Sequence, residues 1–244
     1  MEQSAYEIMA ETQAEHWWYV GRRRILQSMI KNLHLPQDAD IMEVGCGTGA
    51  NLLMLGKFGR TVGIEPHDYA REKAIALSGC VIKSGFLPDD IPFHGPFDLI
   101  GAFDVIEHID KDYESVRALH ALTADGGFAL FTVPAWPFLW SHHDVIHHHK
   151  RRYTRSEFST LLQEAGYKVD YISYYNFLLF PVVALVRFLK KTLKIDRNPD
   201  DALPRYPFIN AILRAIFSSE RYILSQRIAL PFGVSIIAVC RKQI

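Results

Sequence analysis

A short apolar run that breaks into a glycine-rich turn constrains this chain more than any other feature. Residues 41–51 read Ile-Met-Glu-Val-Gly-Cys-Gly-Thr-Gly-Ala-Asn, and Leu52, Leu53 and Leu55 follow with helical spacing. The pattern predicts a buried strand that passes through a tight turn into a crossover helix. Glycines permit a close approach of the backbone to a ligand, and the amide groups at a helix start favour an anion. We therefore expect a nucleotide-binding turn, although a glycine-rich loop without a ligand is an alternative until its neighbours are considered.

An acid after the next predicted strand points to a ribose. The run 61–64 ends at Glu65, twenty residues after Gly45, where a second-strand carboxylate accepts hydrogen bonds from ribose hydroxyls. Residues 45–50 also fit the dinucleotide pattern, so a nicotinamide-dependent Rossmann oxidoreductase is an alternative. Glu43 disfavours it, because a carboxylate at this strand end would repel a pyrophosphate but could face an ammonium group.

Together the two motifs resemble the cofactor motifs of class I S-adenosylmethionine-dependent methyltransferases. Glu-x-Gly-x-Gly-x-Gly begins at Glu43, and Gly-Ile-Glu-Pro spans residues 63–66. The resemblance implies a methyltransferase with S-adenosyl-L-methionine as cofactor, its methionine ammonium near Glu43 and its ribose at Glu65. A non-catalytic module that binds the cofactor without turnover remains an alternative.

Other motifs extend the resemblance over about residues 41–174 and 233–240. Phe-Asp-Leu opens a predicted fourth strand, Glu-His-Ile follows it, and an acid-Gly-Gly turn precedes the fifth. Many family members carry an acid where this chain has Phe86, so we expect adenine binding to depend on backbone groups and on stacking or apolar contact. The resemblance implies these cofactor-binding residues: Glu43, Gly45, Cys46, Gly47, Gly49, Asn51, Glu65, Pro66, Gly85, Phe86, Phe103, Asp104, Val105 and His108, with Tyr19 and Arg23 from an N-terminal helical lid over residues 1–35. For the rest of the segment 16–24 we expect aromatic packing and a solvated basic face.

The predicted fold is α/β: a Rossmann-like class I methyltransferase fold with a seven-stranded, mostly parallel sheet and an antiparallel last strand. We expect one domain over residues 1–244, with N-terminal helices and a helical cap insertion at 175–231 between strands six and seven. The composition, 49% hydrophobic, is that of a chain able to bury one core. Basic and acidic residues number 27 each, which gives no electrostatic footprint for nucleic acid. The three cysteines are widely spaced, which favours reduced thiols in a cytoplasmic protein.

A histidine-rich segment at residues 136–153 is expected to cover the methyl-acceptor site. Some class I methyltransferases carry His-Asp, His and Arg-Arg-Tyr here, matched by residues 143–144, 149 and 151–153. We select His149, His143 and Tyr153 as general base or substrate orienter, with Asp104 and His108 as second choices. No helical histidine pair with a carboxylate partner and no Cys/His spacing marks the segment as a metal site, so we assign no metal to it.

Residues 104–108 present a second place for a metal ion. Some class I oxygen methyltransferases carry an acid, two residues and Glu-His, and hold a divalent ion that binds the acceptor oxygens. Asp104, Glu107 and His108 match this pattern, but metal-free relatives share Glu-His and aspartate is the shorter acid. We therefore expect Glu107 and His108 to cap and brace the following helix, with metal binding as the alternative.

The predicted insertion contains ten apolar residues, 177–186, interrupted by a proline. The cations Arg187, Lys190, Lys191 and Lys194 follow. A bilayer span needs about twenty residues, so this run predicts instead a helical subdomain on the core, a wall over an apolar substrate, or contact with a membrane surface. We expect the insertion to select a small or lipid-like, partly apolar acceptor, with peripheral membrane contact through residues 175–231 as an accompanying possibility.

Overall fold

A seven-stranded sheet organises the chain in the computed structural model, which describes residues 3–193 and 206–243. The strands are β1 (Asp40–Val44), β2 (Arg60–Ile64), β3 (Val81–Lys83), β4 (Phe97–Phe103), β5 (Thr123–Pro134), β6 (Lys168–Tyr175) and β7 (Ser235–Arg241). Their spatial order is β3-β2-β1-β4-β5-β7-β6. Pairings among β1 to β5 are parallel, whereas β7 runs antiparallel to both β5 and β6. The predicted sheet, mostly parallel with an antiparallel last strand, is confirmed.

Helices connect and flank these strands. They are α1 (Gln3–Thr12), α2 (Trp17–Lys31), α3 (Ala50–Leu55), α4 (Asp68–Ser78), α5 (Asp112–Leu122), α6 (His142–Ile146), α7 (Arg155–Glu164), α8 (Phe180–Leu193), α9 (Pro207–Ser219) and α10 (Arg221–Leu224). A capping box begins α7: the Thr154 side chain accepts from the backbone of Glu157, whose carboxylate accepts from the backbone of Thr154. Short 3₁₀ turns follow β4 at Ile106–His108 and β5 at Pro137–Leu139.

The strand order reverses at β1, which lies between β2 and β4. In open α/β sheets the connections on either side of such a reversal leave in opposite directions, which opens a crevice at the carboxyl ends of the strands. Separate apolar clusters cover the two faces of the sheet: one includes buried residues of α5 and α7, the other buried residues of α2, α9 and α10. The chain is therefore arranged to bind a ligand beside the glycine-rich turn.

The described part of the insertion contains α8, α9 and α10, and α9 packs against α2. The Phe217 ring stacks on Trp18 at a centroid distance of 5.1 Å, and a Cβ atom at Gly21 would lie 2.4 Å from that ring. Gly21 therefore permits the close contact between these two helices. Residues 194–205, including the predicted cation Lys194, and the side chains of Lys190 and Lys191 lie outside the described part. Among the helices that are described, each is too short or too polar to cross a membrane.

Candidate functional site

A cavity of about 640 Å³ lies at the carboxyl ends of the strands, between the glycine-rich turn, the N-terminal helices, the histidine-rich segment and α8. Most of the residues predicted for the site line this one cavity: Tyr19, Arg23, Gly45, Cys46, Gly47, Asn51, Glu65, Pro66, Gly85, Phe86, Phe103, Asp104, Val105, His108, His143 and His149. Glu43, Gly49 and Tyr153 do not line it. The tertiary fold thus brings together groups that are up to 130 residues apart in sequence.

The glycine-rich turn has the backbone geometry that its sequence predicts. Gly45 and Gly49 have φ angles of +63° and +93°, which L side chains rarely adopt. A Cβ atom at Gly45 would lie 2.6 Å from Val105, and one at Gly49 would lie 2.7 Å from the Cα atom of Ala74. Gly49 therefore serves the packing of the turn against α4 rather than the cavity surface, which corrects its predicted place among the cofactor contacts.

Glu65 follows β2, beside the glycine-rich turn. Its carboxylate accepts hydrogen bonds from the backbone N–H groups of Gly47 (2.8 Å) and His67 (3.0 Å), and from the hydroxyl of Tyr6 (3.4 Å). Burial under α1 raises the pKa of Glu65, while the backbone hydrogen bonds act in the opposite direction. The carboxylate lines the cavity next to the turn, which is where a ribose acceptor was predicted.

Glu43 lies behind the cavity surface rather than on it. Its Oε1 accepts a hydrogen bond of 2.8 Å from the amide of Asn51, which does line the cavity. Complete burial raises the pKa of Glu43 to about 8, against the opposing effects of Asn51 and Arg22. The sequence predicted a direct contact between Glu43 and a cofactor ammonium. In the structure Glu43 does not line the cavity, and Asn51 lies between its carboxylate and the space for the ligand.

An ion pair that the sequence did not indicate joins Arg22 of α2 to Asp104 after β4. Asp104 has a φ of +59° and also accepts a hydrogen bond of 3.1 Å from the hydroxyl of Thr132. Arg22 is only 9% exposed, so the predicted solvated basic face is wrong for this residue. Arg23 also lines the cavity and donates to the backbone of Gln13; burial, and then the neighbouring Arg22, lower the pKa of Arg23 to about 10.

Phe86 presents its ring, but not its backbone, to a ligand. The side chain is 60% exposed and lines the cavity. Its N–H and C=O groups are already hydrogen-bonded to the backbone of Asp90, at 2.8 and 2.9 Å. The ring of Phe86 is therefore available for the predicted stacking or apolar contact with adenine, whereas the backbone groups that were also predicted to contribute must come from other residues.

The histidine-rich segment is held by a buried carboxylate, that of Asp144. One of its oxygens contacts Nδ1 of His149 at 2.8 Å and Nε of Arg152 at 2.7 Å, and the other accepts from the backbone of Ser141. Burial by itself would raise the pKa of Asp144, but the His149 and Arg152 interactions outweigh it and lower that pKa. An ionised Asp144 therefore fixes the ring of His149, whose Nε2 remains for other partners.

Four histidines gather at this end of the cavity. The His149 ring lies 4.7 Å from the ring of His108 and 5.9 Å from those of His143 and His147, between centroids. Burial, with the nearby His149, lowers the pKa of His108 to about 3, so His108 is neutral at neutral pH. Glu107, adjacent to His108, is completely buried, and burial raises its pKa well above the ordinary value.

Tyr153 lies elsewhere, which corrects its predicted role beside the acceptor. Its ring is 6% exposed and packs in the apolar cluster that includes Phe158. The hydroxyl donates a 2.8 Å hydrogen bond to Asp112 at the start of α5. Because this hydroxyl is hydrogen-bonded to Asp112 and Tyr153 does not line the cavity, Tyr153 stabilises the histidine-rich segment instead of contacting a ligand.

The insertion adds an apolar wall to the cavity. Leu179, Val182, Val183 and Val186 from around α8 and Leu213 from α9 line it. Arg187, the next residue along α8, donates a 3.1 Å hydrogen bond to the backbone of Leu139 and so ties the insertion to the histidine-rich segment.

Asn176, which the sequence patterns did not indicate, lines the cavity directly after β6. It is 1% exposed and has a φ of +56°, a conformation that asparagine tolerates better than most residues. An asparagine at the carboxyl end of a strand in an α/β sheet was the available sequence signal.

Comparison with known proteins connects these features to a family. A family model described as a methyltransferase domain matches residues 14–172. A relative from Staphylococcus carnosus, described as an uncharacterized methyltransferase, is 28% identical over 152 residues, 61% of this chain. The match spans 60% of that relative's own length.

Solved structures share the fold. A chain of the complex that contains the Haloferax volcanii Trm112 methyltransferase activator superposes with a TM-score of 0.64 at 15% identity, covering 99% of this chain and 96% of that one. An S-adenosylmethionine-dependent methyltransferase from Thermotoga maritima gives a TM-score of 0.58 at 15% identity, covering 98% and 99%. At such identities the likeness establishes the fold alone.

Proposed function

This chain belongs to the class I S-adenosylmethionine-dependent methyltransferases, and from that premise we propose that it methylates a small or lipid-like, partly apolar acceptor. S-adenosyl-L-methionine is its cofactor. The nicotinamide-dependent alternative has no support in the family match. The observation that carries the proposed acceptor class is the apolar wall that α8 adds to the cavity.

The cofactor is proposed to lie along the glycine-rich turn. Glu65 accepts hydrogen bonds from its ribose hydroxyls, and Phe86 packs on the adenine. The amide of Asn51, backed by Glu43, faces the methionine part. This assignment follows from which of these groups line the cavity and which lie behind it.

Methyl transfer is proposed to be an in-line displacement. A lone pair of the acceptor forms the new bond to the methyl carbon, and the electron pair of the broken C–S bond stays on sulfur, which leaves S-adenosylhomocysteine. The sulfonium already activates the methyl group, so the protein's task is alignment and removal of an acceptor proton where the acceptor carries one. His143 and His149 are the polar groups that we place beside the acceptor, because both line the same cavity as α8.

The acceptor is proposed to be partly apolar because α8 contributes apolar side chains to the cavity. Val182 and Val186 line the cavity and are still 59% and 44% exposed. Apolar side chains left uncovered beside a cofactor pocket favour a ligand that covers them. His143 and His149 would then orient its polar end.

The exposed face of the insertion is proposed to rest on a membrane surface. Leu185, Phe188 and Leu189 of α8 and Phe208 and Ile212 of α9 are between 45% and 65% exposed. Exposed apolar residues suit a membrane surface, and the sequence places two cations, at positions 190 and 191, within the same helix, which suits an anionic surface from which a lipid-like acceptor would reach the cavity.

An acceptor screen tests the function. Methyl-labelled S-adenosylmethionine is incubated with the protein and either a lipid extract or an aqueous metabolite extract of the source cells, and labelled product and S-adenosylhomocysteine are measured. Label transferred to lipid supports the proposal. Label transferred only to strongly polar metabolites would overturn the acceptor class, and cofactor binding without transfer to either extract would indicate a binding module.

Vesicle sedimentation tests the membrane contact. Vesicles of phosphatidylglycerol and phosphatidylcholine should pellet the protein, and Phe188→Ser should reduce the pelleted fraction. Leu77→Ser on α4 is the control, because Leu77 is 44% exposed but distant in sequence from the insertion. Equal pelleting of both variants and the wild type would contradict the assigned face.

A further inference from the structure

Three side chains in the cavity place a potential ligand atom near one point. One atom each from Glu107, His108 and His149 lies within 4.8 Å of the others. Glu107 and His108 belong to the 3₁₀ turn after β4, whereas His149 comes from the histidine-rich segment. All three line the cavity that is proposed to hold the cofactor and the acceptor.

The carboxylate of Glu107 lacks a partner. It is 0% exposed, and neither Oε1 nor Oε2 has a hydrogen bond within the described part of the chain. Nearby guanidinium groups bond elsewhere: Arg22 to Asp104, and Arg152 to Asp144 and to a backbone carbonyl. A buried carboxyl group without a partner is costly and rare in folded proteins, so this one indicates a missing ligand.

One of the two histidines is anchored through a second group. Nδ1 of His149 contacts the buried carboxylate of Asp144 at 2.8 Å. Metal-ligating histidines typically have one ring nitrogen held by a carboxylate or backbone carbonyl, which orients the other nitrogen toward the ion. The unpaired carboxylate of Glu107 beside this fixed histidine and the adjacent His108 is a set of ligands for a cation.

We propose that Glu107, His108 and His149 bind a divalent first-row transition-metal ion such as Zn²⁺ or Mn²⁺. Two imidazole nitrogens and one carboxylate oxygen suit such an ion better than Mg²⁺ or Ca²⁺, which prefer oxygen ligands. The arrangement differs from the acid-x-x-Glu-His pattern of the sequence, because Asp104 is paired with Arg22 and Thr132 while His149 joins from a distant segment. It also replaces our expectations that this site holds no metal and that Glu107 and His108 only brace a helix.

An ion held by Glu107, His108 and His149 would supply a Lewis acid to an oxygen of the acceptor, an inference that relies on the proposed methyltransferase function. It would lower the pKa of an acceptor hydroxyl, whose proton would pass to water. The resulting oxygen lone pair bonds to the methyl carbon, and the C–S electron pair remains on the sulfur of S-adenosylhomocysteine. His149 then acts on the acceptor through the ion rather than as a free base.

Metal binding is tested without any acceptor. Protein dialysed against chelator is titrated with Co²⁺, whose visible absorption reports nitrogen and oxygen ligands, and with Zn²⁺ in a calorimeter. One ion per chain is expected, with affinity at least about tenfold lower in Glu107→Gln and in His149→Ala. His148→Asn is the matched control: it removes a histidine of the same segment that is exposed and does not line the cavity, and asparagine tolerates its φ of +56°.

Several outcomes would overturn the site. Absence of stoichiometric Co²⁺ binding by folded wild-type protein would do so, as would equal affinity in the control and both ligand variants. Should Glu107→Gln not fold, His149→Ala and His108→Ala carry the comparison. Full methyl transfer by chelator-treated protein would also contradict the metal's role, whereas one bound ion with no transfer to any acceptor would keep the metal site and refute the proposed function.

Discussion

Arg22 of α2 and Asp104 of the loop after β4 form an ion pair that connects the N-terminal helices to the cofactor end of the sheet. Both side chains are largely buried, 11% and 22% exposed. Breaking a buried pair leaves an uncompensated charge, so we expect Arg22→Ala to lower the free energy of unfolding by roughly 3 kcal/mol. Urea denaturation measures this difference. Arg24→Ala, a substitution at an exposed position of the same helix, should alter the free energy of unfolding by less than about 0.5 kcal/mol. Equal losses of stability in the two variants would show that the Arg22–Asp104 ion pair does not stabilise the fold.

Replacement of Gly49 separates steric clash from backbone strain. Gly49 and Gly79 both have positive φ angles, +93° and +68°, but only a Cβ atom at Gly49 would meet neighbouring atoms, those of Ala74. Gly79→Ala should cost about 1 to 2 kcal/mol from the left-handed conformation alone. We expect Gly49→Ala to cost more in urea denaturation, since Ala74 must also move. A smaller loss at Gly49 than at Gly79 would show that the packing adapts freely.

Glu65→Gln should weaken cofactor binding. The amide can still accept from the backbone of Gly47, but the ribose hydroxyls lose a charged acceptor. A charge-assisted hydrogen bond contributes about 1.5 to 3 kcal/mol, so calorimetry should show an affinity for S-adenosylmethionine reduced by roughly tenfold or more. Glu72→Gln, an exposed change on α4, is the control and should bind normally. Unchanged affinity in a folded Glu65→Gln protein would remove Glu65 from the site.

Substitution in the apolar wall should affect the acceptor and spare the cofactor. Val183 lines the cavity from α8, whereas Leu185 on the same helix does not. Val183→Ser replaces apolar surface by a hydroxyl and should lower kcat/KM for a lipid-like acceptor roughly tenfold, which corresponds to about 1.4 kcal/mol. Leu185→Ser should leave this value unchanged when the acceptor is supplied in detergent. If Val183→Ser instead weakened cofactor binding alone, the wall would belong to the cofactor pocket.

Glu220 should make stability depend on pH. It is 0% exposed and accepts a 2.9 Å hydrogen bond from the backbone of Leu178; burial raises its pKa to about 7, against these backbone hydrogen bonds. The pKa of Glu220 is higher in the folded protein than in the unfolded chain. The contribution of Glu220 to the free energy of unfolding is therefore most favourable below about pH 4.5, where the group is protonated in both states, and it is lost as pH rises through 7. Glu220→Gln should therefore gain stability relative to wild type between pH 5 and 8, by up to about 3 kcal/mol. Parallel urea denaturations at these pH values measure the change, and a difference independent of pH would contradict it.

The sequence alone determined the fold and the glycine-rich turn. Apolar runs interrupted by glycine turns specify strands and helices through local periodicity, so the seven-stranded sheet with its antiparallel last strand was predictable. The glycine-rich turn was equally readable, because positive φ angles at Gly45 and Gly49 are a local property of the backbone.

Only the tertiary structure decided which side chains face the cavity. Tyr153 carries suitable chemistry, but its hydroxyl donates to Asp112, a neighbour that is 41 residues away in sequence. Partners brought together by packing, such as Arg22 with Asp104, leave no periodic signal in either segment.

The acceptor end shows the same division between sequence and structure. The sequence shows that histidines are concentrated in one segment. It does not show that they lie close to Glu107, because this depends on packing of the 3₁₀ turn after β4 against the histidine-rich segment. Local propensity acts over a few residues and fixes elements, but a site depends on long-range packing that orients side chains from different elements toward one point.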